Sequence, residues 1–268
     1  ILTYEPAEGM VAWSKWVGDT GTGAFVERAA VLPGTEEDAV YYHVRRTING
    51  TTKRYLEKWA LESESYGDTG LSYLSDCAIS FTSDTGDNRD TLVTGATHLA
   101  GASAVVWADD TGQTNAGKDL SPDVSGVQTE YAVDTGAGTV TLSEAVHHAV
   151  VGVPYKANWK STKLAYGAQF GTALAQMKRT DKIGLVLYKT HNNGLFFGTD
   201  TGQLDPLPRI SDRGAAVDAD KIFSDVELVS IPFPGLWDSD SRIYLRAKSP
   251  RPATVLAAIP TVNTNEKV

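Results

Sequence analysis

Short runs of alternating apolar and polar residues fill this chain, and a period of two predicts strands almost throughout. From Met10 to Val17 the alternation puts Val11, Trp13 and Val17 on one side of a strand. Ala24 to Leu32 reads as a second strand, closed by the turn pair Pro33-Gly34. Ala39 to Ile48 is a third, with Val40, Tyr42 and Val44 on one face and Tyr41, His43 and Arg45 on the other. Asn49-Gly50 is the strongest turn signal, because a type I′ turn needs positive φ at both central residues and these two tolerate it best. Thr51 to Trp59 is the returning strand, so four antiparallel strands are expected in one meander, comparable to a propeller blade.

A two-residue loop at Asn49-Gly50 also fixes register. It sets Arg46 opposite Lys53 and Arg45 opposite Arg54, and like charges facing each other across a ladder are destabilising. Three outcomes follow for Arg45, Arg46, Lys53 and Arg54: a hydrated hairpin tip, carboxylate partners from elsewhere in the fold, or an intersubunit contact.

From about Leu92 the strands shorten. Ala104 to Ala108 looks buried, and Tyr131 to Val133, Thr139 to Leu142 and Val150 to Tyr155 follow at turn-punctuated intervals, which suggests a small barrel or sandwich. Ser143 to Val151 and Thr172 to Lys182 are the two helix candidates; Gly152 and Pro154 would end the first quickly. Strands return at Leu185 to Tyr188, Leu195 to Phe197, Val226 to Ile231, Ile243 to Leu245 and Thr254 to Ile259.

Composition narrows the function classes. Lys+Arg 24 against Asp+Glu 33 leaves a net charge of −9, which argues against tight binding of duplex DNA or an anionic membrane surface. A single cysteine, Cys77, excludes an intramolecular disulfide framework and a Cys-only zinc site. No apolar run approaches the ~20 residues that span a bilayer as a helix. The chain starts at Ile1 without a leader and reads as a trimmed piece of something longer.

Asp-Thr-Gly occurs six times, at Asp19, Asp68, Asp84, Asp110, Asp134 and Asp200. It is the motif with which aspartic proteases activate water between two carboxylates. Asp134 matches best, with Ala132-Val133 before it, and Ile183-Gly184 weakly resembles the second signature of such enzymes. Six copies cannot be six catalytic centres, however, and Asp-x-Gly is also an ordinary turn, in which the carboxylate caps its own backbone. The five histidines show no metal-ligand spacing, and His147 and His148 should point to opposite sides of a strand. Asp84, Asp87, Asn88 and Asp90, and separately Asp238 and Asp240, form acidic loops without an EF-hand pattern. Trp13, Trp16, Trp59 and Trp107 sit at core-like strand positions. No catalytic, cofactor-binding or metal-binding residue is assigned.

Several segments together carry a resemblance. These are Val11 to Trp16, Gly23 to Gly34, Glu37 to Gly50, Arg54 to Lys58, Thr94 to Gly101, Val151 to Tyr155 and Arg251 to Ala257. They resemble tail nozzle (tail tubular) proteins of short-tailed bacteriophages, in the part that closes or follows the β-propeller. The resemblance implies an all-β chain in three parts: a propeller-blade-like meander over 1–90, a small inserted β-barrel over 91–166, and a β-sandwich-like platform over 167–268. It further implies a non-enzymatic virion component without cofactors, forming a homohexameric ring around the DNA exit channel. Its neighbours would be a portal or adaptor and other tail proteins, and genomic DNA would pass without sequence-specific binding. A receptor- or carbohydrate-binding β module is the alternative, and an aspartic protease at Asp134 a distant third.

Overall fold

A computed structural model describes residues 2–7, 9–15, 22–35, 37–83, 89–110, 113–164, 167–168, 171–172, 175–208 and 218–265. The chain is all-β: strands joined by turns, with two single-turn 3-10 segments at Glu62–Glu64 and Thr97–Leu99 among the described elements.

The N-terminal part divides in two. Among the described residues, β1 (Leu2–Glu5) and β2 (Met10–Trp13) pair only with each other, through Leu2↔Trp13 and Tyr4↔Val11. β3 (Phe25–Leu32), β4 (Ala39–Ile48) and β5 (Thr51–Lys58) form a separate three-stranded antiparallel sheet. The expected four-stranded meander is therefore three strands plus a hairpin: among the described residues β2 pairs with β1 and not with β3. Asn49 and Gly50 take φ of 47° and 71°, and the pairing runs Ile48↔Thr51, Thr47↔Thr52, Arg46↔Lys53 and Arg45↔Arg54, the register that the turn dictates. One end of the sheet's inner face docks into the middle of the molecule, where Ile48 and Tyr55 join the first core.

That core belongs to β6 (Asp76–Thr82), β7 (Asp90–Val93), β8 (Ser103–Asp110), β9 (Gln113–Asp119), the short hairpin β10 (Asp123–Val124) and β11 (Val127–Gln128), β12 (Tyr131–Ala132), β13 (Val140–Val146) and β14 (His148–Val153). The main sheet runs β12-β8-β14-β6 with β9 also on β8, and β13-β7 is a two-stranded ribbon packed across the same core. Among the described residues the ladder is open rather than a closed barrel. It also crosses the boundary expected at residue 90, since β6 is one edge of the sheet. β8 is buried on both faces: Ala104, Val106 and Ala108 enter the core, while Val105 and Trp107 point the other way and are equally sealed. The helix candidate Ser143–Val151 is β13 and β14, whose ladder partners β7, β6 and β8 outweigh one weak helix signal.

β15 (Lys156–Lys160), the short pair β16 (Gly167–Ala168) and β17 (Gly171–Thr172), β18 (Lys178–His191), β19 (Leu195–Asp200), β20 (Gln203–Pro206), β21 (Ile222–Pro232), β22 (Tyr244–Lys248) and β23 (Thr254–Thr264) complete the chain. Sheets β21-β18-β23 and β15-β22-β19-β20 share a second core of Ile183, Leu185 and Leu187 from one and Leu195, Phe197 and Leu245 from the other. The packing is that of a sandwich. The second helix candidate ends inside β18, where Lys178 to Lys182 pair with β23. Of the tryptophans expected in cores, Trp107 is sealed, Trp13 and Trp59 are 78% and 42% exposed, and Trp16 lies outside the described residues. Alternation alone gives a strand two faces; it does not say which one finds a partner.

Candidate functional site

The basic hairpin splits by face. Arg46 points inward and is sealed from solvent. Its Nε and Nη2 donate to Glu57 Oε1 and Oε2 at 2.6 and 2.7 Å, and its Nη1 and Nη2 donate to Asp76 Oδ2 and Oδ1 at 3.0 and 2.8 Å. A fifth bond, from Nη1 to Thr22 Oγ1 at 3.1 Å, uses the last of the five guanidinium N–H groups. Burial opposes the charge, but these two carboxylates outweigh it and raise the Arg46 pKa. Arg46 is thus an internal clamp between the N-terminal sheet and β6, and is not available to a neighbouring subunit. The other three cations stay at the surface. Arg54 Nε donates to Glu27 Oε2 at 2.8 Å, and Arg45 lies 5.3 Å from the centroid of the Phe25 ring. The like-charge pairing is relieved because Glu57, Asp76 and Glu27 come to it, each from outside the hairpin turn.

Pairing partners share a face, so the outer face of β3-β4-β5 carries Phe25, Arg28, Ala30 and Leu32 from β3, Tyr41, His43 and Arg45 from β4, and Arg54, Leu56 and Lys58 from β5. Phe25, Leu32 and Leu56 are 56%, 55% and 74% exposed. Glu27, at the register shift in β3, reaches both Arg54 and His43, and Glu64 reaches Lys58 at 3.6 Å. The Arg54 hydrogen bond lowers the Glu27 pKa below the usual glutamate value.

Three Asp-Thr-Gly copies can be followed: two carboxylates cap their own turn, and the third pairs across the fold. Asp134 Oδ1 accepts the N–H of Gly136 at 2.9 Å and of Ala137 at 2.6 Å; these bonds, Ala137's first, hold its carboxyl below the usual range. Asp200 Oδ1 accepts the Gly202 N–H at 2.9 Å. Asp68 pairs with Lys189 Nζ at 2.5 Å, and the Thr69 carbonyl beside it accepts the indole N–H of buried Trp107. The carboxylates of Asp19, Asp84 and Asp110 lie outside the described residues, as do Asp87 and Asn88 of the first acidic loop. Asp90 and Asp238 each cap a backbone N–H two residues on, and Asp240 pairs with Arg242.

His147 and His148 do not diverge as simple alternation requires. Both backbone N–H groups donate to Oδ1 of Asp109, at 2.9 and 2.8 Å, and the break between β13 and β14 brings the two rings to 4.3 Å. Burial, then the neighbouring His147, lowers the His148 pKa. Asp109 is itself fully buried and pairs with Arg89 at 2.8 Å. Among the described residues no three His, Cys, Asp or Glu side chains gather as a metal site. Burial pushes the Cys77 thiol up, which disfavours the reactive thiolate.

A second ionic clamp had no local signal. Arg251 is sealed, and its Nε donates to Asp119 Oδ2 at 2.6 Å, Nη1 to Asp123 Oδ2 at 2.7 Å and Nη2 to the Ser121 carbonyl at 2.9 Å. Arg251 and Asp119 are 132 positions apart in the chain, so only the fold brings them together. Nearby, the His191 ring meets Trp107 edge-on at 5.8 Å and faces Asp220 at 3.5 Å. A cleft of about 300 Å³ lies on the sandwich around the second core, lined by Lys160, Asp200, Leu236, Asp238, Arg242 and Tyr244 among others. No helix among the described residues is long and apolar enough to cross a membrane. Compared with known proteins, the chain matches no family model and no curated protein.

Proposed function

We propose that the chain is a structural component of a short phage tail, a nozzle or hub protein whose copies pack side by side into a homohexameric ring around the DNA exit channel. Its partners in the virion are then a portal or adaptor and other tail proteins. The motif resemblance supports this, and so does one feature of the fold: the outer face of β3-β4-β5 leaves Phe25, Leu32 and Leu56 more than half exposed. These side chains stand apart along the strands, with Arg28, His43, Arg45 and Arg54 between them, so the face offers a mixed apolar and basic surface to a neighbouring copy. Sealed arginine clamps at two junctions suit a part that carries load without rearranging. A wall with net charge −9 per copy repels phosphates, so DNA slides instead of sticking. Negative-stain microscopy of the purified chain tests this: closed rings with a central opening are expected, and a chain that stays monomeric at micromolar concentration overturns it.

A glycan-binding module is the second reading, favoured by the acidic cleft, with Tyr244 in its lining and half-exposed Trp237 next to Leu236. It requires binding on a glycan array that disappears in Trp237→Ala.

A further inference from the structure

His191 closes β18, and its ring is sealed, with 1% of the residue exposed. The ring has a different partner on each side. Nδ1 accepts the N–H of Asn193 at 3.1 Å, so in the neutral ring the proton sits on Nε2. That bond holds the β18-β19 turn, together with the Gly194 N–H that donates to the His191 carbonyl at 2.8 Å. Nε2 faces Asp220 Oδ1 at 3.5 Å, which is long for a hydrogen bond. The turn grips the neutral ring, and the carboxylate only faces it.

We infer that His191 is a proton-operated latch at the junction of the two cores. In the protonated ring both nitrogens are donors. Nδ1–H then meets the Asn193 N–H, donor against donor, while the imidazolium gains attraction to Asp220. The ring lets go of the turn and closes on the carboxylate. Asn193 passes the change on: its carbonyl accepts Arg251 Nη1 at 3.3 Å, and Arg251 is the link to Asp119 and Asp123. The carboxamide of Asn192, buried beside it, has no hydrogen-bond partner among the described residues and does not pin the turn in place.

The charges around the ring are few. Asp220, just before β21, faces it directly, and its Oδ1 also accepts the Asp119 N–H at 3.1 Å. Asp119 on β9 and Arg251 before β23 are paired with each other, and Lys189 on β18 with Asp68. Lys118 on β9 acts on Asp220, and Trp107 on β8 brings a neutral ring edge-on. The latch lies within one chain and holds whether or not that chain belongs to a phage tail.

An imidazole in water titrates at about pH 6.5, so NMR of the ¹⁵N-labelled full chain from about pH 8 to about pH 5 tests the latch. The Asn193 amide is expected to shift in step with the His191 ring nitrogens. In the acid form it should exchange with solvent at least about tenfold faster than the intrinsic pH dependence allows. His191→Phe should abolish the Asn193 step. Asp220→Asn keeps an acceptor for the Asp119 N–H but removes the attracting charge, and should move the ring and amide titrations to lower pH together. A ring that titrates while the Asn193 amide stays put overturns the inference, and so does a ring that stays neutral over the whole range. An Asn193 step that survives in His191→Phe overturns it as well. Should that variant fail to fold, Asp220→Asn decides: two titrations left where they were defeat the latch.

Discussion

Replacing Arg46 by Ala would leave Glu57 and Asp76 facing each other at a sealed junction without their shared cation. Breaking a buried pair from one side costs about 3–5 kcal/mol, and a loss of that size is expected in a urea titration of Arg46→Ala. Arg46→Lys should recover only part of it, since an ammonium cannot serve both carboxylates with a planar fork. Asp123 adds a pH dependence. Burial alone would raise its carboxyl, but the hydrogen bond and charge of Arg251, with Lys248 behind them, hold it below the usual aspartate value. Burial likewise opposes Asp220, where His191 and the Asp119 N–H lower the carboxyl instead. A carboxyl whose folded pKa lies below its unfolded value contributes stability in full above the unfolded pKa of about 3.9, and loses it as pH falls through the folded value. The urea midpoint should therefore drop below about pH 4. Asp123→Asn should start lower at neutral pH and show a flatter acid limb.

At the scale of elements, the β4-β5 hairpin depends on two residues at positive φ, Asn49 and Gly50. A side chain at Gly50 meets nothing within 4 Å, so a substitution there tests backbone strain without a clash. Gly50→Val should cost about 1–2 kcal/mol in thermal or chemical unfolding, from the left-handed region alone. The residues that this register places opposite one another were readable before the fold was known, because turn chemistry and a period of two are local. The fate of Arg46 was not readable. Its like-charge position across from Lys53 demanded a counter-charge, but nothing near the hairpin says that Asp76, at the start of β6, supplies it. For the same reason the partner of β2 was not readable: its alternation is that of any strand, and nothing local says that it pairs with β1 and not with β3.

At the scale of the whole molecule, two cores meet at a polar junction held by Arg251, Asp119 and Asp123, with the Lys189–Asp68 pair and the Trp107–His191 contact beside it. Arg251→Ala should uncouple them. Differential scanning calorimetry is expected to turn from one transition into two, with the first at lower temperature; a single transition shifted as a whole would mean that other contacts suffice.

Sequence alone determined the strand content, the β4-β5 turn and its register, the turn role available to Asp-Thr-Gly, and the excess of negative charge, because each follows from neighbouring residues or from a sum. Tertiary structure decided which face of each strand is covered, which sheet β6 joins, and where the buried arginines find their carboxylates. Those outcomes depend on contacts between segments far apart in the chain, such as Arg251 with Asp119, for which no local pattern exists. They depend also on the penalty for leaving a buried charge unpaired, which acts only once the fold has removed the water.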